Sequence, residues 1–209
     1  MKNSLAILVP TVCLSILSMF SLMAKADTLS LVSVSAQSGG EYIYPYNFSV
    51  NGASTLTGLM CLDLNRTITV GETWQVTEQG VTSSNLYKQE AYIFSQLGQG
   101  TYSDSDVQWA AWSIFDAPGV HSHGMDTASV NQLLSSADTA VNTPGMLTAD
   151  FYSQYQVYIP TNDMSGWTMG IPQEFIGKVS PVPEPSSLVL LSSGLLGAAG
   201  MVNRRIRRA

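Results

Sequence analysis

The spacing of apolar residues changes character twice along the chain. Residues 28–35 alternate apolar with polar, the period of a half-buried strand. A Ser-Gly-Gly turn at 38–40 leads into residues 41–50, rich in Tyr, Phe and Val, with Pro45 marking a bend or an edge. The turn signal Asn51-Gly52 precedes a third strand over 56–64. A fourth, broken at Gly71, covers 67–70 and 73–77. The period then becomes helical. Ser84 can cap a helix reaching about residue 97, with Tyr87, Ala91 and Phe94 on one face. Ser103 or Ser105 can cap a second through 107–115, with Asp104 and Asp106 in its first turn, where the helix dipole favours acids. A third, over 126–141, carries the stripe Val130, Leu133, Leu134, Ala137 and Val141, and Pro144-Gly145 stops it. A short helical turn fits 147–152. Strand patterning returns at 156–160 and 172–179, which read as a hairpin around a longer loop holding 162–166.

The expected fold is therefore α+β. A single domain of mainly antiparallel strands carries an inserted group of about three helices. The two ends add a signal peptide and a C-terminal membrane helix. Lys2, an uncharged run over 5–23, and Ala24-Lys25-Ala26 form a secretion signal with cleavage expected after Ala26. At the other end, residues 187–202 are free of charge, and Arg204, Arg205, Arg207 and Arg208 follow. Such a span reaches about 24 Å, short of the ~30 Å hydrocarbon core, and needs snorkelling arginines and a thinned bilayer to cross it. The arginines belong on the cytoplasmic side, which places the body of the chain outside. The division is 1–26 signal peptide, 27–180 extracellular domain, 181–209 sorting tail.

Charge narrows the partners. Residues 27–180 hold fourteen acidic side chains against three basic ones (Arg66, Lys88, Lys178), a net of −11 with histidines neutral. Nucleic acid and anionic membrane surfaces are excluded as partners on that ground. Cys13 leaves with the signal, so Cys61 is the single cysteine of the domain and no intrachain disulfide is possible. It is a buried filler, an intermolecular link or a reactive group.

The tail Val182-Pro183-Glu184-Pro185-Ser186-Ser187, the short span and the basic end together resemble the PEP-CTERM sorting signal of Gram-negative bacteria. That resemblance implies recognition of Pro183, Glu184 and Pro185 by an exosortase in the inner membrane. It also implies delivery to the cell envelope or the extracellular polymer matrix, with the C-terminal helix as a transient or permanent anchor.

Three segments of the domain combine into a second resemblance. They are Met60-Cys61-Leu62-Asp63, Val107-Gln108-Trp109-Ala110-Ala111-Trp112 and Pro172-Gln173-Glu174-Phe175-Ile176. Their order and types are similar to the thioester domains of bacterial surface adhesins, although Met60, Val107 and Ala111 depart from the usual residues. The resemblance implies that Cys61 and Gln173 condense, with loss of ammonia, into an internal thioester. Gln108 and Trp112 would be supporting helix residues. Gln156, in Tyr155-Gln156-Val157-Tyr158, fits the closing pattern as the alternate partner. The bond would react once with an amine of an extracellular polymer or surface protein, so the expectation is no enzyme and no cofactor. An unreactive structural component of the polymer matrix is the alternative. A thiol hydrolase pairing Cys61 with His121 or His123 is the third reading. His121-Ser122-His123, in a Gly-containing loop, is too sparse for a zinc site by itself.

Overall fold

Six strands account for the β part of the chain: β1 Asp27–Ser38, β2 Glu41–Val50, β3 Thr57–Cys61, β4 Thr73–Gly80, β5 Tyr155–Pro160 and β6 Phe175–Lys178. The computed structural model describes residues 27–161 and 171–179, with Gly194. The signal segment, the 162–166 part of the hairpin loop and the sorting tail with Pro183, Glu184 and Pro185 lie outside the described residues. Apart from Gly194, so does the expected span at 187–202. No helix among the described residues is long and apolar enough to cross a membrane.

The strands close into a barrel in the order β1-β2-β3-β6-β5-β4, antiparallel at every junction. Closure leaves no free sheet edge. Alternating side chains point inward: Leu29 and Leu31 from β1, Tyr46 and Phe48 from β2, Trp74 and Val76 from β4, Tyr158 from β5. Rings fill the interior. Phe48 meets Phe175 at 4.8 Å between centroids and Trp74 at 5.6 Å, both edge to face. Such pairs add about 0.5–1.5 kcal/mol each beyond the area they bury.

Two bulges explain where the simple alternation fails. Between Leu31↔Phe48 and Ser33↔Asn47 an extra residue, Val32, falls on β1 and is turned outward. Between Val34↔Tyr46 and Ala36↔Ile43 the extra residue falls on β2, where Tyr44 and Pro45 face Ser35. The bulge is where a proline without a donor N–H is tolerated inside a paired strand.

The helices lie between β4 and β5: a 3₁₀ turn at Val81–Ser83, then α1 Asn85–Ser95, α2 Asp104–Ser122, α3 Ala128–Asn142 and α4 Ala149–Tyr152. Ser84 caps α1 through Leu86 N–H, Thr127 caps α3, and Ser103 with Asp106 forms a reciprocal capping box on α2. α2 packs on β2 and β3, α1 on β6, and α1, α2 and α3 on one another.

Three expectations need correction. Residues 67–70 form no strand. Local bonds hold the β3–β4 connection instead: Asn65 N–H to the Asp63 carboxylate at 3.0 Å, and Thr69 N–H to Glu72 at 2.6 Å. These satisfy donors that a ladder would otherwise need. The third strand is shorter than 56–64, ending at Cys61. His121 belongs to the last turn of α2 rather than to a loop, because the helix continues past a kink at Asp116. Asp116 leaves helical geometry there, and its carboxylate accepts from Gly119 N–H at 3.0 Å, restarting the helix around Pro118.

Candidate functional site

β3 and β6 build the site. Cys61, the last residue of β3, aligns with Phe175, the first of β6. Leu62 N–H donates to Glu174 O at 2.9 Å, carrying the alignment one step beyond the strands. Asp63 and Gln173 are thereby brought together.

Their bonds converge. The Cys61 thiol reaches Asp63 O at 3.3 Å, and Asp63 N–H returns to the sulfur at 3.4 Å. The Gln173 side-chain amide donates to the same Asp63 O at 3.0 Å and to Arg66 O. Gln173 Oε1 is buried and has no hydrogen-bond partner among the described residues. Arg66 fastens the connection by pairing with Asp63 at 2.8 Å and donating to Pro172 O at 3.1 Å. One arginine thus ties the segment after Cys61 to the segment before Phe175.

α2 supplies the roof. Gln108, wholly buried, donates its side-chain N–H to Cys61 O at 2.7 Å. Ala110 and Ala111 are also buried, and their small side chains allow the helix to approach β3 closely. Trp112 sets its indole beside the Cys61 sulfur. Trp109 packs edge-on against Trp112 at 4.8 Å and donates its N–H to Ser38 at 3.3 Å. Gln108 and Trp112 therefore both reach Cys61 from one helix face.

The thiol is fully enclosed. Burial pushes its pKa up to about 12; the Trp112 N–H and the Asp63 backbone offset part of that rise, and the Asp63 and Glu90 carboxylates add to it. A thiolate is the nucleophilic form of cysteine, so little of it exists at neutral pH without proton removal during reaction. Beside the site, Leu62, Asp63, Tyr87, Phe115, Asp116 and Glu174 line a cavity of about 230 Å³. Tyr87 O–H donates to Glu174 at 2.9 Å across it.

The alternate glutamine has other company. Gln156 pairs with Gly80 and Gly177 and donates to the Tyr158 hydroxyl at 2.7 Å. It lines a separate cleft of about 390 Å³ with Glu78, Tyr152 and Tyr155. The histidines are also engaged elsewhere. His121 pairs with Asp126 at 2.7 Å in the open, and His123 lies against the Trp109 ring and near Glu41. No group of three or more His, Cys, Asp or Glu side chains among the described residues is placed to hold a metal.

Glu90 was not singled out by sequence. It stands on α1, three residues past Tyr87, and has no exposed surface. Neither carboxylate oxygen has a hydrogen-bond partner among the described residues, and burial holds the carboxyl well above the usual range. The available signal was an acid inside the apolar stripe of Tyr87, Ala91 and Phe94.

Residues 181–208 match the PEP-CTERM protein-sorting motif. No curated protein and no solved structure matches the chain. The motif implies an exported, envelope-associated protein recognised by an exosortase during processing.

Proposed function

We propose that the exported domain attaches covalently to its surroundings through an internal thioester between Cys61 and Gln173. The observation that carries this reading is the shared Asp63 carbonyl, on which the thiol and the amide nitrogen converge. In the condensation, sulfur attacks Cδ of Gln173. The Cδ–N bond breaks, the thiol proton passes to nitrogen, and ammonia leaves. The later attack of an amine breaks the C–S bond, restores the Cys61 thiol and leaves an amide on Gln173.

The physical setting supports each half. Two backbone carbonyls hold the Gln173 NH₂ and so fix where its Cδ faces. Its Oε1 is unpartnered in the enclosed site. Burying an amide acceptor without a donor costs about 1–3 kcal/mol. A thioester carbonyl accepts more weakly and loses less by the same burial. Enclosure by Trp112, Phe175 and Leu62 keeps water from hydrolysing the product.

Exosortase cleavage at the Pro-Glu-Pro would remove the C-terminal anchor, and an amide bond to a matrix or surface amine would replace it. The adhesion role follows from that chemistry and requires no turnover. The complete burial of Cys61 favours a second reading, an unreactive component of the polymer matrix in which the thiol is a core side chain.

Methylamine separates the two. The thioester reading expects incorporation of one methylamine, mapped by peptide mass to Gln173, and none in Cys61→Ala. Failure of the native protein to take up methylamine, with Cys61 titrating as a free thiol, supports the matrix component.

A further inference from the structure

We infer that the barrel mouth beside α4 binds a neutral saccharide, with Glu78 and Gln156 bonding its hydroxyls and the Tyr152 ring packing against its C–H groups. The inference does not rest on the covalent reading, because this cleft shares no lining residue with the cavity beside Cys61 and Gln173.

Strand register builds the polar part of the mouth. Residues directly opposite in an antiparallel pair share a face of the sheet. Asp27 stands opposite Val76, Glu78 opposite Tyr158, and Gly80 opposite Gln156. Val76 and Tyr158 point into the barrel, so Asp27, Glu78 and Gln156 point the same way at the end where β4 leaves for the helices. Their bonds form a chain. Asp27 accepts from the Asn51 side chain at 2.5 Å, Glu78 bonds to both Asp27 and Gln156, and Gln156 donates to the Tyr158 hydroxyl at 2.7 Å. The Gln156 amide is nine-tenths buried and so held in one orientation. Next to it the mouth stays open: a Cβ added at Gly80 would meet nothing within 4 Å.

α4 forms the facing wall. Thr148 caps it through Phe151 N–H, and its last turn brings Tyr152 and Ser153 to the cleft, with Thr82 beside them. The enclosed space of about 390 Å³ lies in the range of small-ligand pockets, and barrel mouths are a usual place for them. The lining combines a carboxyl, a carboxamide, two hydroxyls and a phenol ring. Sugars need that mixture, because each hydroxyl both donates and accepts while the ring carbons present an apolar face. An ammonium would prefer free carboxylates, whereas Glu78 and Asp27 already bond to each other. The excess of acidic side chains over 27–180 repels anionic polymers, which leaves neutral glycans. Such a site would hold the exported domain in a polysaccharide before any covalent step.

The test is an array of immobilised neutral, uronate-bearing and amine-bearing glycans, probed with the full chain in a detergent that has no sugar headgroup. The best neutral glycan is then titrated by calorimetry. Wild type is expected to bind neutral glycans. Glu78→Ala and Tyr152→Ala should each weaken binding about tenfold or more, with circular dichroism matching wild type, while Tyr152→Phe keeps the ring and most of the affinity. Binding of no neutral glycan, or of uronate-bearing or amine-bearing glycans alone, overturns the inference. Undiminished affinity in Glu78→Ala and Tyr152→Ala overturns this cleft as the site. If Glu78→Ala does not fold, the contrast between Tyr152→Ala and Tyr152→Phe decides, and equal affinities there overturn it.

Discussion

Cys61 and Gln173 meet at one backbone oxygen: Asp63 O takes the thiol at 3.3 Å and the Gln173 amide at 3.0 Å. The residues are far apart in sequence, and the β3–β6 pairing joins them. Everything else at the site serves that junction. Arg66 clamps the two segments, Gln108 holds the Cys61 carbonyl from above, and Trp112 closes the space beside the sulfur.

Gln108 should be a stability residue as well as a support. Its bond to Cys61 O is wholly buried, so Gln108→Ala strands that carbonyl. Loss of a buried partner costs about 1–3 kcal/mol. Thermal unfolding should register a lower midpoint. An unchanged midpoint would mean that the bond contributes nothing.

Gly39 anchors the β1–β2 hairpin onto α2. Its φ is +61°, and a Cβ there would lie 2.6 Å from Cζ2 of Trp109. Gly39→Ala therefore combines left-handed strain with overpacking against a rigid ring, about 2–4 kcal/mol in all. Chemical denaturation followed by tryptophan fluorescence should show the shift. A neutral substitution would contradict the close packing of hairpin on helix.

Glu90 makes stability depend on pH. Burial raises its folded pKa well above the ordinary carboxyl value of 4.5. Its contribution is then fully present below about 4.5 and is lost as pH rises towards the folded value, because the unfolded chain releases a proton that the folded one keeps. Glu90→Gln removes that loss. The variant should melt at a higher temperature than wild type at pH 7, with the gap closing near pH 4.5. A gap that stays constant with pH would mean that Glu90 is not neutral in the fold.

Much of the fold was legible because its local signals agree with its packing. Ser84 and Ser103 cap where an apolar stripe begins, and Val130, Leu133 and Ala137 are buried at helical spacing. Barrel closure was not legible, since the β1–β4 and β3–β6 pairings join segments with no shared pattern. The bulges were hidden for another reason. Val32 looks like a core residue in the sequence, and only the register reveals the extra position that turns it outward. The strand expected over 67–70 failed because the pattern does not register side chains such as Glu72 bonding the backbone.

At the candidate site, residue types suggested Cys61, Gln108, Trp112 and Gln173, and the fold gathers all four. Arg66 and Glu90 were missed. Arg66 acts through backbone carbonyls and an acid three residues away, for which no motif exists. Glu90 resembles any helix acid until its burial is known.

The most direct test of the central claim is the intact mass of the purified protein. A thioester predicts a mass one ammonia below that of the uncondensed chain. The deficit should vanish in Cys61→Ala and in Gln173→Ala and persist in Gln156→Ala. Full mass in the wild type, with Cys61 titrating as a free thiol after denaturation, would contradict the thioester. A deficit lost in Gln156→Ala and kept in Gln173→Ala would move the bond to the other glutamine.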